Sequence, residues 1–102
     1  MESVTGCAAI LRRTEIIIPH VHWNGTSRDE LLKQLAGAQE AVIAAILAMG
    51  RATPHGRDYY VIGDDAITQA RTEHQARIDK LNSIVGDLQQ ITEGVLVQEA
   101  RG

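Results

Sequence analysis

The sequence predicts a mainly helical (α+β) protein. It has a short N-terminal β segment over residues 1–23 and a long antiparallel two-helix hairpin over residues 24–98. Three observations predict this. Apolar residues recur at alternating steps of three and four in two long stretches, the period of a helix face. Aromatic residues are 3% of the chain and Phe is absent, so Leu, Ile, Val and Ala must build the core, which suits close helix–helix packing. The β-branched run Ile16-Ile17-Ile18 prefers extended backbone, and Pro19 behind it points to a strand end or sheet edge. At 102 residues one domain, 1–102, is expected. A hydrophobic share of 44% against 23% charged residues suits a globular chain rather than a disordered one.

Each element has its own local signals. Val4–Leu11 is small and apolar, and Arg12-Arg13 interrupts it before the Ile run. His20-Val21-His22-Trp23 continues the extended reading, with Val21 on one face and both histidines on the other. Asn24-Gly25 is a turn signal. Ser27 stands three residues before Glu30, the spacing of a capping box, so the first helix should begin near Arg28. Its seam is Leu31, Leu35, Ala38, Val42, Ala45 and Met49, and Leu32, Ile43, Ile46 and Leu47 widen the apolar surface. Gly50 is a C-terminal stop, with Pro54 shortly beyond it.

The loop 51–63 is longer than a helical hairpin requires, which is often a mark of function. A second helix of roughly 30 residues, or about 45 Å, should start at Asp64 or Asp65, whose carboxylates suit a helix N-terminus. Its seam runs through Ile67, Ala70, His74, Ile78, Leu81, Val85, Leu88 and Val95. Gly86 and Gly94 interrupt it, so a bend or an early end is expected. Ile84 and Ile91 lie beside the seam. Two helices bury one stripe each, so the surplus apolar surface predicts a homo-oligomer; in the alternative, a monomer, the N-terminal strands cover it.

Several function classes are excluded at this level. There is no GxSxG, P-loop, HExxH or CxxC motif, so no enzyme is predicted and no cofactor is expected. A formal net charge of −3 argues against a long nucleic acid as partner. Cys7 is the single cysteine, which forms no internal disulfide and no cysteine zinc site and reads as a small buried residue. No hydrophobic run reaches the roughly 20 residues of a membrane span, and no signal-peptide pattern is present. A cytoplasmic protein without a membrane partner is expected.

The candidate binding residues are cations and aromatics. Arg51, His55, Arg57, Arg71, His74 and Arg77 crowd one stretch, and beyond Arg77 the chain turns acidic. Arg71, His74 and Arg77 are spaced by three and are read as one helix face. Guanidinium forks match phosphate oxygens, so a small anion is a plausible ligand. Tyr59, Tyr60 and Trp23 offer faces on which a purine could stack, or else anchor the loop and the first helix. Thr26 and Ser27 could donate to an anion at the start of the first helix. His74, on an otherwise apolar stripe, is more often a hydrogen-bonded helix-face residue than a catalyst, though it lies between Arg71 and Arg77. His20 and His22 could be half of a metal site or simply solvated; no metal ligand set is assigned.

Taken in order, a β segment ending in His20-Val21-His22-Trp23-Asn24-Gly25-Thr26-Ser27, a capped helix, the loop Pro54-His55-Gly56-Arg57-Asp58-Tyr59-Tyr60 and a long second helix resemble the phage Thoeris anti-defence sponge proteins. That family shares a helical hairpin with the phage anti-CBASS sponges. The resemblance covers roughly residues 14–97. It implies a homo-oligomer, often a hexamer, that encloses cyclic ADP-ribose isomers or cyclic oligonucleotides between subunits and withholds them uncleaved. Two other readings stay open: a helical-hairpin adapter that binds a protein and no small molecule, and a metal-dependent hydrolase using His20, His22 and an acid.

Overall fold

The computed structural model describes residues 16–98. The readings of Val4–Leu11, Cys7 and Arg12-Arg13 lie outside these residues. Helix α1 is Arg28–Arg51, a 3-10 turn follows at Gly56–Asp58, and helix α2 is Ala66–Leu96. The two helices form the hairpin. The chain divides into two compact units, one holding residues up to Ala36 together with those from Asp87 onward, the other Gly37–Gly86.

Both ends of α1 follow from the sequence. The Glu30 amide donates to Ser27 Oγ at 3.1 Å, which satisfies one of the free amides of the first turn. The Glu30 carboxylate does not reach back to complete the box; its Oε2 accepts from Gln34 Nε2 at 3.2 Å. At the other end Thr53 Oγ1 donates to the Gly50 carbonyl at 2.7 Å, closing a helix that stops within a residue of Gly50. Helix α2 opens after Asp64-Asp65, whose charges sit at the favourable end of its dipole.

In the first unit, residues 16–23 correct the strand expectation: none of the described residues is in a strand. A strand needs a ladder partner, and this segment finds the side chain of Gln98, just beyond the α2 terminus, instead. The Val21 amide donates to Gln98 Oε1 at 2.7 Å, and Gln98 Nε2 donates to the carbonyls of Pro19 at 2.8 Å and Gly94 at 3.2 Å. One side-chain amide thereby replaces a neighbouring strand. The alternation of faces survives without the ladder: Val21 is buried, and His20 and His22 are exposed. Arg28 completes the unit. Its Nε and Nη2 donate to the carbonyls of Gln98 at 3.1 Å and Leu96 at 2.9 Å, placing a cation at the negative end of α2.

Gly94 does not break α2, which runs through both Gly86 and Gly94. The glycine is needed for packing. A Cβ there would lie 2.7 Å from Ile18 Cγ2, so the absence of a side chain lets the extended segment lie on the helix. Val21 and Val95 are the buried apolar residues of the described chain, and both belong to this unit.

In the second unit the seam residues Val42, Ala45 and Met49 of α1 and Ile67, Ala70, Ile78, Leu81 and Val85 of α2 are half-buried, as is Ile46 beside them, while the expected seam residue Ala38 is exposed. No residue of α1 is buried. This revises the hydropathy reading: with only Lys33 and Glu40 charged between Glu30 and Arg51, α1 is long and apolar enough to cross a membrane by length and composition. A soluble core helix passes the same test when mostly buried. Here the second stripe of α1 stays open, with Ile43 45% and Leu47 64% exposed.

Candidate functional site

The cation-rich stretch falls inside the second unit. The loop between the helices is built from local turns: Asp58 donates to the His55 carbonyl, Tyr59 and Tyr60 to that of Gly56, and Ile62 to that of Tyr59, at 2.9–3.0 Å. These turns hold His55 and Arg57 out in solvent and leave Tyr59 half-buried. Tyr60 is 72% exposed, and Val61 and Ile62 continue the exposed apolar run. Tyr59 therefore anchors, and Tyr60 is the loop residue free to stack.

On α2 the three residues spaced by three separate into different roles. His74 is buried and its Nε2 lies 2.8 Å from the Met49 carbonyl oxygen, so the ring ties α2 to the end of α1. Arg71 and Arg77 are exposed. Each step of three residues falls about 60° short of a full turn, so Arg71 and Arg77 stand roughly 120° apart on opposite flanks of His74. The reading of one shared face is thereby corrected: within one chain the two guanidiniums diverge. Arg57, Arg71 and Arg77 make no ion pair or hydrogen bond with other described residues.

The remaining candidates belong to the first unit. Trp23 is 81% exposed, and Thr26 is exposed. Ser27 uses its Oγ as the cap acceptor for Glu30. His20 and His22 stack with ring centroids 6.4 Å apart and planes 15° from parallel. The His22 ring also lies over the turn, 2.7 Å from where a Cβ on Gly25 would stand. Among the described residues no group of three or more His, Cys, Asp or Glu is placed to hold a metal ion.

Arg28 and Gln98 are structural residues that sequence reasoning passed over. Their partners are about 70 to 80 positions away in the chain, and no local pattern signals such a pairing. Comparison with known protein families, with curated proteins and with solved structures finds no match for this chain.

Proposed function

We propose that this protein is a sponge: a cytosolic homo-oligomer that binds cyclic ADP-ribose isomers or cyclic oligonucleotides and withholds them without cleavage. The observation that carries the reading is the set of three exposed arginines, Arg57, Arg71 and Arg77, with Tyr60 exposed near Arg57 in the loop. Guanidinium forks suit the phosphates and an open aromatic face suits a purine. The divergence of Arg71 from Arg77 favours ligands held between subunits, each copy giving one arginine to a different pocket. Trp23, Thr26 and His55 are secondary contacts in this reading; Tyr59, Ser27 and His74 support the frame. Withholding a ligand needs no nucleophile and no metal.

Oligomer formation rests on burial. Val21 and Val95 are a small core for a hairpin of this length, since each buried side chain of that size contributes only about 1.5–3 kcal/mol while ordering backbone costs about 1–2 kcal/mol per residue. Further copies would cover the open stripe of α1.

The test is calorimetric titration with cyclic ADP-ribose isomers and cyclic di- and trinucleotides, followed by recovery of the ligand after heat denaturation. Binding with intact ligand is expected, and Arg57→Ala or Arg71→Ala should weaken it roughly tenfold or more. Recovery of an altered ligand would make the protein an enzyme. A second reading has its own observation: the exposed run Tyr60-Val61-Ile62 favours a protein-binding adapter. No heat with any nucleotide would favour that reading.

A further inference from the structure

The open stripe of α1 carries a pattern of charged and apolar residues. Glu40, Ile43, Leu47 and Arg51 are all exposed and follow one another at steps of three, four and four. At 3.6 residues per turn they fall within an arc of about 80°, centred roughly 140° from Val42 in the hairpin seam. This is a face of its own, separate from the face turned to α2. Its middle is apolar, and its ends carry opposite charges. Neither Glu40 nor Arg51 has an ion pair or hydrogen bond through its side chain among the described residues. Ala44 and Ala48 border the stripe and leave room for another helix to come close.

Such a pattern is its own complement when reversed. Laid antiparallel on a copy of itself about a two-fold axis near Ala45, Ile43 meets Leu47 and Leu47 meets Ile43. Glu40 lies five residues from that centre and Arg51 six. The mismatch is one residue, about 1.5 Å along the axis, within reach of an arginine side chain. A parallel arrangement would set Glu40 against Glu40 and lose both pairings. We propose that this α1 face is the docking surface for the same face of a second copy of the chain. The two helices run antiparallel, and Glu40 of each copy pairs with the partner's Arg51. The contact is isologous and closes as a dimer; a larger ring needs a further interface. It supplies the oligomer assumed in the sponge reading and stands on the α1 face alone.

The test is sedimentation equilibrium of the full chain with charge reversals. The parent should associate reversibly. Glu40→Arg and Arg51→Glu each set like charges together and should raise the dissociation constant about tenfold or more, while E40R/R51E together should restore it to within about threefold. All sites are exposed, and circular dichroism should confirm unchanged helicity. Leu47→Glu should abolish association. A chain that stays monomeric throughout, single reversals without effect, or a double variant no better than either single one would overturn the proposal. So would a monomer that sediments with phosphatidylcholine vesicles, which would assign the α1 face to lipid. Nucleotide titration of the same samples separates the two readings. Dimers that take up no nucleotide sink only the sponge, and an oligomer that binds nucleotide but ignores the charge reversals sinks only this contact.

Discussion

His74 Nε2 donates to the main-chain carbonyl oxygen of Met49 at 2.8 Å. A carbonyl can only accept, so the proton sits on Nε2. Met49 lies in the last turn of α1, where carbonyls lack helical partners; the Ala52 amide reaches the same oxygen at 3.0 Å. The imidazole thus joins the end of one helix to the first third of the other. Its neighbours in the seam are apolar and half-buried, so this bond adds direction where packing alone gives little.

His74→Ala removes a buried hydrogen bond and leaves a small void. A loss of about 1–3 kcal/mol in unfolding free energy is expected from urea denaturation. Nucleotide affinity per folded molecule should stay within about twofold of the parent, since the ring is committed to Met49. A tenfold fall in affinity with stability intact would return His74 to the binding site.

Gln98 makes three hydrogen bonds through one side-chain amide, to Val21, Pro19 and Gly94. Gln98→Ala should release the segment 16–23 from α2, costing about 1–3 kcal/mol and speeding hydrogen exchange at the Val21 amide. Gln98→Glu keeps the acceptor for Val21 but loses both donated bonds, and should fall between the two. An unchanged exchange rate at Val21 in Gln98→Ala would mean that packing of Ile18 and Val21 alone fixes the segment.

How far the sequence foretold this arrangement depends on the range of each signal. The start of α1 at Arg28 was readable because a cap is a three-residue event, and the Ser27–Glu30 bond is present. Most of the seams were readable because helical period is local: apart from Ala38, which is exposed, the seam residues are half-buried or buried. The strand was misread because Ile16–Ile18 state a preference for extended backbone but not what will accept its hydrogen bonds. In the residues that follow, Gln98 accepts from the Val21 amide and donates to the Pro19 carbonyl from about 80 positions away, beyond any local pattern. The grouping of Arg71 with Arg77 failed for a different reason. A single step of three keeps neighbours together, and two steps accumulate roughly 120°.

Gly86 and Gly94 both lie inside α2 and should respond oppositely to alanine. At Gly86 nothing lies within 4 Å of an added Cβ, so Gly86→Ala should stabilise by about 0.5–1 kcal/mol through helix propensity. At Gly94 the same methyl meets three Ile18 side-chain carbons at 2.7–3.0 Å, and the gain should be outweighed, with a net loss of about 1–3 kcal/mol. Ile18→Ala combined with Gly94→Ala should recover part of that loss in thermal unfolding. If Gly94→Ala alone stabilised the chain, Ile18 would not be held against the helix.

Tyr60 separates the sponge from the adapter. In the sponge its ring stacks on a base, so Tyr60→Phe should keep nucleotide affinity near the parent value. Tyr60→Ala should lose about 1–3 kcal/mol of binding, roughly fivefold to 150-fold. Tyr60 is 72% exposed and Tyr59 carries the anchoring of the loop, so thermal stability should change little in either variant. In the adapter the same exposed ring belongs to one apolar surface with Val61 and Ile62. Val61→Ser would then weaken capture of a protein partner as much as Tyr60→Ala does, while in the sponge it leaves nucleotide binding alone. Equal nucleotide affinity in the parent, Tyr60→Phe and Tyr60→Ala would remove Tyr60 from the ligand site and leave the loop to the adapter reading.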